Sequence, residues 1–395
     1  MKHVAAISTL YPNAAEPLQA GYVARSLEAL ARRTGDDGWR VTVINPIGIP
    51  PIAIGRYRAL AQLAGQSEEG GVTVHRPRFT LLPKVSARRN ASAIAKTVLP
   101  LLRKIHAQSP IDILDAQVLF PDGPAAAWIA REMGLPLSLK ARGNEIELWG
   151  RVDFAREQIL EAGECAGGIL AGCDALANTM ADIGLPRAKI KVHETGLDRD
   201  RFRPLDHTQL RAQLARELGF ALPDNAPLLV SVGDLIERKG QDIAIGALPA
   251  IEGARLILVG TGEDERHLRD LATDLGLADR VHFAGALSRD VLPLVLSAAD
   301  VMVLPTRGEG FANAWVEAIA CGTPVVTSDV GGARELIANN TAGRLAARNP
   351  ESVAGAVNAV LNNPPMPQAV AALAERFSWD RHAAELAAHY DRILR

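Results

Sequence analysis

Short apolar segments alternate with longer segments of helical periodicity along the whole chain of 395 residues. The apolar segments are rich in Val, Ile and Leu, as in VTVINPIG and IDILDAQ in the first half and LLVSVGDL and DVMVLPT in the second. Such alternation is typical of parallel sheets covered by helices, which bind ligands at the carboxyl ends of their strands. The series restarts after a polar stretch that contains proline. The sequence therefore predicts two doubly wound α/β domains that face each other across a cleft.

The boundary between the two domains is predicted in residues 198–206, where DRDRFRPLD interrupts the hydrophobic periodicity. We assign residues 1–198 to an N-terminal domain, 199–205 to a hinge and 206–378 to a C-terminal domain. A last helix is predicted over about 379–395, and we expect it to pack back onto the N-terminal domain. A chain of this length is large enough for two domains, each with its own core.

Composition and cysteine content exclude several classes of protein. The chain is 48% hydrophobic and 22% charged, so it is neither disordered nor collagen-like. Its three cysteines form no Cys-x-x-Cys pair and cannot make a disulfide framework, which fits a reducing compartment. No apolar run has the length of a membrane span, and MKHVAAISTL indicates a first strand rather than a signal peptide. We therefore expect a cytoplasmic protein, with the inner face of a membrane as a second location.

Basic residues are concentrated in residues 70–111, which contain no Asp or Glu. The eight bases of this region are Arg76, Arg78, Lys84, Arg88, Arg89, Lys96, Arg103 and Lys104. Within it, ASAIAKTVLPLLRKIH has helical apolar spacing. Two interpretations stay open. The first is a basic amphipathic segment that contacts an anionic membrane or faces a phosphorylated acceptor, and the second is the solvated face of a helix packed on the core. Nucleic acid is not an expected partner, because the net charge is −2 and no aromatic side chains are interleaved with the bases.

The most informative segment, RGEGFANAWVEAIACGTPVVTSD over 307–329, runs from a strand end through a glycine-containing loop into a helix. A loop that leads into a helix presents backbone N–H groups and the positive end of the helix dipole, which suit phosphate. Glu309 and Glu317 stand in E-x7-E spacing, and their carboxylates can accept hydrogen bonds from hydroxyl groups. A ligand with sugar hydroxyls and phosphate is one interpretation. A helix capped by an asparagine, with two ordinary surface glutamates, is the other.

A second candidate loop, SVGDLIERKGQD over 231–242, follows another strand end. Arg238 and Lys239 are well placed there to clamp a diphosphate, and a solvated charge cluster is the alternative. Gly260 and Gly262 begin a Gly-x-Gly loop like that of dinucleotide-binding proteins. The third glycine position of that fingerprint holds Glu265, which disfavours a Rossmann oxidoreductase.

These segments together resemble the retaining glycosyltransferases of family 4, which have the GT-B fold. EGFANAWVEAIACGTPVV resembles their E-x7-E signature, VGDLIERKG their phosphate-binding strand and loop, and VHETGLDRDRFRP their interdomain segment. In the N-terminal half, ISTLYPN, LDAQVLFPDG and KARGNEI resemble the first loop, a mid-domain strand end and the acceptor-side loop. The resemblance implies a retaining hexose transfer that needs neither metal nor cofactor. The donor would be a nucleotide sugar, with UDP favoured over GDP, and the acceptor a glycolipid, a lipid-linked glycan or a polysaccharide precursor.

The resemblance also implies roles for individual residues. Arg238 and Lys239 would neutralise the donor diphosphate and Glu309 would hold hydroxyls of the donor sugar, so that these three form the catalytic set. Glu317 would bind the ribose hydroxyls, and Gly21 would approach the diphosphate from the N-terminal domain. Further contacts with the donor are implied for Ala286, Leu287, Gly310, Phe311, Ala312 and Asn313.

Arg142 and Glu145 are implied on the acceptor side, in a loop that departs from the family pattern. Arg142 stands where many relatives have a histidine that contacts the donor sugar, and a guanidinium cannot act as a general base near pH 7. Asp234 stands where many have a phosphate-binding arginine, and Glu194-Thr195 replaces Pro-Asn in the interdomain segment. Two alternatives stay open: a nucleotide-sugar epimerase of the same fold and, because of these departures, a non-catalytic subunit that binds sugar nucleotides.

Overall fold

The computed structural model describes residues 1–17, 20–33, 35, 38–83, 85–220, 222–223 and 226–395. Lys84, one of the eight bases of the region 70–111, lies outside the described residues. The chain divides into two compact units: the first comprises residues 1–196 and 379–395, and the second comprises 197–378. The segment predicted as a hinge, 199–205, belongs to the second unit, where the side chain of Phe202 is buried in the core.

Strands and helices alternate through both units. The strands are β1 (Lys2–Ile7), β2 (Trp39–Ile44), β3 (Ile47–Ile49), β4 (Gln66–Glu69), β5 (Val72–His75), β6 (Arg78–Thr80), β7 (Ile113–Ala116), β8 (Leu137–Lys140), β9 (Gly168–Ala171), β10 (Ile190–Val192), β11 (Leu228–Val232), β12 (Arg255–Val259), β13 (Val281–Gly285), β14 (Val301–Leu304), β15 (Val325–Ser328) and β16 (Gly343–Ala346). The helices are α1 (Gly21–Ala31), α2 (Arg56–Ala61), α3 (Ala87–Gln108), α4 (Asp122–Met133), α5 (Asn144–Trp149), α6 (Asp153–Cys165), α7 (Asp174–Asp182), α8 (His207–Leu218), α9 (Gln241–Ala247), α10 (Glu265–Asp274), α11 (Leu292–Ala298), α12 (Asn313–Ala320), α13 (Ala333–Leu336), α14 (Pro350–Leu361), α15 (Pro367–Ala372) and α16 (Trp379–Leu394).

The first unit is built on an eight-stranded sheet with the order β10-β9-β8-β7-β1-β2-β5-β4. All neighbouring strands are parallel except β4, which pairs antiparallel with β5 at the edge. Strands β3 and β6 form a separate, two-stranded parallel sheet. The strand order reverses between β1 and β7, and such a reversal opens a crevice at the carboxyl ends of the two strands.

The second unit has a six-stranded parallel sheet with the order β13-β12-β11-β14-β15-β16. Its order reverses between β11 and β14, where Leu229 pairs with Val301. Buried Val, Leu and Ile side chains cover both faces of the sheet, as expected for parallel strands enclosed by helices. The two sheets confirm the prediction of two doubly wound α/β halves.

Helix α3 shows which side of the basic region is buried. The apolar side chains of Ile94, Val98 and Leu102 have no exposed surface, whereas Arg88 and Arg103 are exposed. The structure therefore favours the second interpretation of this segment, because the apolar side of α3 packs on the core and cannot contact a bilayer. Within the described part of the chain, no helix is both long enough and apolar enough to cross a membrane.

The last helix, α16, packs on the first unit. Its Leu386, Ala387 and Tyr390 belong to the same buried cluster as Val4 of β1. The Tyr390 ring meets the Trp39 ring edge-on, with a centroid distance of 5.2 Å. The chain thus enters the second unit at residue 197 and returns from it at residue 379.

Candidate functional site

Two loops meet at the carboxyl edge of the second sheet, where its strand order reverses. One loop follows β11 and ends in a 3-10 turn, Glu237–Lys239, before α9. The other follows β14 and leads into α12. Gly240 has φ +77°, and a Cβ atom there would lie 2.3 Å from the carbonyl oxygen of Pro305. Only glycine therefore allows the two loops to come this close.

The side chains predicted as the catalytic set are brought together at these loops. The Lys239 ammonium donates to Oε1 of Glu309, and Nη1 of Arg238 lies 3.2 Å from the same oxygen. Arg238 also donates to the carbonyl oxygen of Gly308. The side chains of Glu309, Lys239 and Arg238 are 9%, 13% and 27% exposed. The result is a largely buried cluster of two cations and one carboxylate with a net charge of +1.

Backbone hydrogen bonds fix the two loops against each other. The N–H of Arg307 and the hydroxyl of Thr306 both donate to the carbonyl oxygen of Arg238, at 2.7 and 3.1 Å. Arg348 donates to Glu237 O at 2.7 Å and to Pro305 O at 3.1 Å. The cluster is therefore held in place by the protein itself, which is the condition for electrostatic preorganisation. Thr306 and Arg348 carry no signature in the sequence and were not predicted.

The loop before α12 carries the predicted donor contacts Gly310, Phe311 and Ala312. The carbonyl oxygen of Gly310 accepts from Gly332 N at 2.8 Å, so the turn before α13 packs against this loop. Phe311 packs on Phe377, with ring centroids 5.8 Å apart. Ala312 is the N-cap of α12 and has no side chain that could cap the helix. No side-chain hydrogen bond from Ala312 caps the first turn of α12. The donor contacts of Gly310, Phe311 and Ala312 stay predictions.

The other predicted donor residues lie along the same edge. Asn313 is the first residue of α12, and Glu317 lies one turn further along it, half-buried. Ala286 is exposed and Leu287 half-buried in the segment after β13, two strands beyond β11 in the sheet. The described contacts do not bring these two residues to the cluster of Arg238, Lys239 and Glu309.

In the first unit, the predicted residues Gly21 and Arg142 lie at neighbouring positions. Gly21 is the first residue of α1 and follows Ala20, whose φ of +49° is unusual for a residue with a side chain. The Arg142 guanidinium stacks on the ring of Tyr22, 5.1 Å from the ring centre. It also donates to the carbonyl oxygen of Gln117 at 3.1 Å and to the side-chain amide oxygen of that residue. Arg142 is thus held by α1 and by the segment after β7.

Two carboxyl groups accompany Arg142 at this edge of the first sheet. Glu145, predicted on the acceptor side, accepts a hydrogen bond from the backbone N–H of Arg142, and burial raises the pKa of Glu145. Asp122 at the start of α4 accepts from Thr9 N at 2.9 Å. Burial raises the pKa of Asp122 to about 7. Asp122 was not singled out in the sequence, because a buried acid has no local signature.

A chain of buried polar groups connects β8 with α16. Nζ of Lys140 lies 2.8 Å from Nδ1 of His193, whose Nε2 lies 2.9 Å from the carbonyl oxygen of His382. The His382 ring is hydrogen-bonded in turn to the hydroxyl of Ser26 at 2.6 Å and to the carbonyl oxygen of Glu194 at 2.7 Å. Burial lowers the pKa of Lys140 and of both histidines well below their ordinary values. These contacts anchor the last helix to the first unit.

Asp198, at the predicted boundary between the two domains, engages in ordinary surface contacts. Oδ1 of Asp198 accepts from Arg201 N at 3.3 Å, and its other oxygen lies 3.5 Å from the Arg201 guanidinium. Across the ranges that the structure describes, no three His, Cys, Asp or Glu side chains form a group that could hold a metal ion.

Comparisons with known proteins match both halves of the chain. Residues 219–377 match the family model for glycosyl transferases group 1, and residues 23–201 match that for glycosyltransferase family 4. A GDP-mannose-dependent alpha-(1-6)-phosphatidylinositol monomannoside mannosyltransferase of Mycobacterium tuberculosis is 33% identical over 262 residues, which are 62% of this chain and 66% of that protein. A D-inositol 3-phosphate glycosyltransferase of Mycobacteroides abscessus is 34% identical over 215 residues, 52% of this chain and 47% of that protein. The chain thus matches between about half and just under two thirds of the length of these relatives.

Solved structures show the same fold over the full length. Sucrose-phosphate synthase from Thermosynechococcus elongatus superposes with a TM-score of 0.77 at 20% sequence identity, covering 99% of this chain and 98% of the other. The two family models together cover most of both units. The segment with the E-x7-E spacing lies within the match to glycosyl transferases group 1. The chain therefore belongs to the glycosyltransferases of family 4 and has their GT-B fold.

Proposed function

We propose that this chain transfers a hexose from a nucleoside-diphosphate sugar to a glycolipid acceptor. The observation that carries the proposal is the cluster in which Lys239 and Arg238 hold Glu309 at the carboxyl edge of β11 and β14. Cations there suit a diphosphate, and a carboxylate suits sugar hydroxyls. Membership in a glycosyltransferase family supports the reaction class.

The fixed cations meet the main chemical need of this reaction. When a nucleoside diphosphate departs, negative charge accumulates on its β-phosphate oxygens. Lys239, Arg238 and the N-terminal end of α12 stabilise that charge without having to reorganise. A carboxylate offers about four lone-pair sites, so Glu309 can accept hydrogen bonds from hydroxyls while it remains bonded to Lys239.

We further propose a retaining, front-face reaction that uses neither a metal nor a cofactor. The bond from the anomeric carbon to the diphosphate oxygen breaks, and the bond to the acceptor oxygen forms on the same face. The acceptor proton passes to the departing β-phosphate, so no protein base is required. This course fits Arg142, which stays protonated near pH 7 and serves to bind rather than to accept a proton.

The identity of donor and acceptor is proposed from the relatives. One relative is named a GDP-mannose-dependent phosphatidylinositol monomannoside mannosyltransferase, and another is named for inositol 3-phosphate. These names support an inositol phosphate or an inositol phospholipid as the acceptor class and GDP-mannose as the first donor. They give no support to UDP, which the sequence had favoured, so UDP-glucose is the second donor to test.

The experiment combines each donor with vesicles that contain phosphatidylinositol and with vesicles of phosphatidylcholine alone. We expect release of one nucleoside diphosphate and a new glycolipid only when the inositol lipid is present, with the anomeric configuration of the donor kept in the product. Epimerisation of the donor without an acceptor would contradict the proposal. Tight binding of a donor with no turnover on any inositol acceptor would contradict it as well.

A further inference from the structure

Two loops of the first unit carry exposed aliphatic side chains. Ile52 and Ile54 are 77% and 65% exposed in the loop after β3, and Leu82 and Val85 are 46% and 78% exposed in the loop after β6. We call these four residues the aliphatic tip. A single exposed aliphatic side chain is common in soluble proteins, but a group of them at one place marks an interaction surface.

The topology places the two loops side by side. Strands β3 and β6 are paired in parallel, so both loops leave the small sheet at the same end. The pairing continues beyond the strands, because Leu81 N donates to the carbonyl oxygen of Ile49 at 3.0 Å. The helices that follow the loops line one pocket of about 230 Å³, to which α2 contributes Arg56 and Tyr57 and α3 contributes Asn90.

Basic residues follow the aliphatic tip in both loops. Exposed arginines follow both loops: Arg56 and Arg58 in α2, and Arg89 in the first turn of α3. The neighbouring Arg88 lies over the ring of Phe154 in α6, 5.2 Å from the ring centre. Residues 38–111 contain eleven Lys and Arg but only two acids, Glu68 and Glu69. Glu69 is paired with Arg76, and the nearest acid to the tip arginines is Glu16, 3.9 Å from Arg56. Exposed aliphatic side chains that are followed by arginines in both loops complement a surface with anionic headgroups over an apolar interior.

We propose that the aliphatic tip docks this unit on an anionic phospholipid bilayer. The four side chains enter the boundary between headgroups and acyl chains, and the arginines of α2 and α3 lie at the lipid phosphates. The docking surface is formed by loops and not by the apolar side of α3, which is buried in the core. Its value to catalysis rests on the proposed function, since a glycolipid acceptor is presented at a membrane surface.

The test is sedimentation of the full chain with vesicles of phosphatidylcholine, with and without phosphatidylglycerol. The tip variant carries Ile52→Ser, Ile54→Ser, Leu82→Ser and Val85→Ser. The matched control carries Leu275→Ser and Met366→Ser, which replace aliphatic side chains that are 43% and 70% exposed in the second unit. We expect the wild type and the control to bind anionic vesicles alike, and the tip variant to bind roughly tenfold more weakly or worse.

A second variant, with Arg58→Gln and Arg89→Gln, separates insertion from simple attraction. If insertion and charge both contribute, the tip variant and the arginine variant should each bind anionic vesicles more weakly than the wild type. Added salt should then weaken vesicle binding of the wild type only in part. Binding that only the arginine variant reduces would overturn insertion of the aliphatic side chains. Absence of wild-type binding at low salt, or self-association of the chain that the tip variant abolishes, would overturn the bilayer as the partner.

Failure of docking and failure of the proposed function are distinguishable. Nucleoside diphosphate binding and the melting temperature of the tip variant should equal those of the wild type, because the four side chains are exposed. Sugar transfer to a water-soluble inositol phosphate without vesicle binding would remove only the docking proposal. Vesicle binding without transfer to any inositol acceptor would support docking and contradict the function.

Discussion

Nη1 of Arg238 lies 3.2 Å from Oε1 of Glu309, although 71 positions separate the two residues in the sequence. Their approach follows from the pairing of β11 with β14, which brings the loops after both strands to one edge of the sheet. Lys239 donates to the same carboxylate oxygen. A negatively charged ligand therefore meets cations that are already oriented, with Glu309 beside them.

Replacing Lys239 with alanine should lower the rate of sugar transfer by at least about a hundredfold, the usual effect of removing one preorganised donor to a developing negative charge. The fold should survive, because Arg238 still pairs with Glu309. Arg307→Ala is the matched control, since the Arg307 side chain is 60% exposed and pairs with the exposed Glu237. Steady-state kinetics of both variants measure the effect. An unchanged rate constant for Lys239→Ala would refute its role.

Replacing Glu309 with glutamine should separate sugar binding from phosphate binding. The variant loses a charged acceptor for sugar hydroxyls, so kcat/KM for the donor should fall roughly tenfold or more. Binding of the nucleoside diphosphate alone should stay equal or become tighter, because the two cations lose a competing negative charge. Calorimetric titration with the diphosphate and kinetics with the sugar nucleotide measure the two effects. If diphosphate affinity fell in parallel with kcat/KM for the sugar nucleotide, Glu309 would act only by organising the loops.

Gly240→Ala should destabilise the second unit by more than about 2 kcal/mol, because the left-handed backbone costs roughly 1–2 kcal/mol and the new Cβ collides with the Pro305 carbonyl. Gly276→Ala is the control: Gly276 has φ +68°, and no atom lies within 4 Å of its hypothetical Cβ. Gly276→Ala should lower the free energy of unfolding only by the cost of the left-handed backbone. Denaturant unfolding of both variants measures the difference, and equal losses would mean that the loops are not in fixed contact.

Hydrophobic periodicity and motif spacing in the sequence predicted both sheets and the position of the two glutamates relative to α12. Alternating Val-, Leu- and Ile-rich segments predicted both parallel sheets, because strands enclosed by helices need apolar side chains on both faces. The E-x7-E spacing placed Glu309 before α12 and Glu317 within it, as observed. Strand β4, with the sequence QSEE, was missed, because an edge strand with polar side chains has no such pattern.

Contacts between distant residues could not be predicted from one sequence. Lys140 and His193 are 53 positions apart, and His193 and His382 are 189 apart, so no spacing rule connects them. Helix α3 shows a related limit: its apolar periodicity predicted an amphipathic helix, but not whether protein or lipid covers the apolar side. Only the packing of α3 on the core decides that question.

The buried histidines predict that the first unit loses stability in acid. The pKa values of His193 and His382 lie well below the unfolded value of about 6.5, so the unfolded state binds protons that the folded state does not. Stability therefore falls as the pH drops below about 6.5, by about 1.4 kcal/mol per pH unit for each such group. His193→Gln should reduce this slope by about that amount in unfolding experiments between pH 5 and pH 6.

Comparison of the variant with the wild type cancels contributions that both share. Asp122 acts in the opposite direction, because its pKa of about 7 lets the folded state bind a proton that the unfolded state has lost. Ile190→Val is the control: Ile190 is buried in β10, and the change costs roughly 1 kcal/mol without removing a titratable group. An unchanged slope in His193→Gln would mean that His193 is protonated in the folded protein.

The most direct test of the donor site is thermal unfolding of the wild type and of Lys239→Ala with GDP, UDP, ADP and dTDP, and with NAD as a negative control. A ligand at 100 times its Kd adds about 2.7 kcal/mol of stability, and each kcal/mol raises Tm by roughly 2–4 °C for domains of this size. We predict that one nucleoside diphosphate raises the wild-type Tm by several degrees and that Lys239→Ala loses most of this shift. No shift with any nucleoside diphosphate over a wide concentration range, or a shift with NAD alone, would contradict the assignment of this edge to a sugar-nucleotide donor.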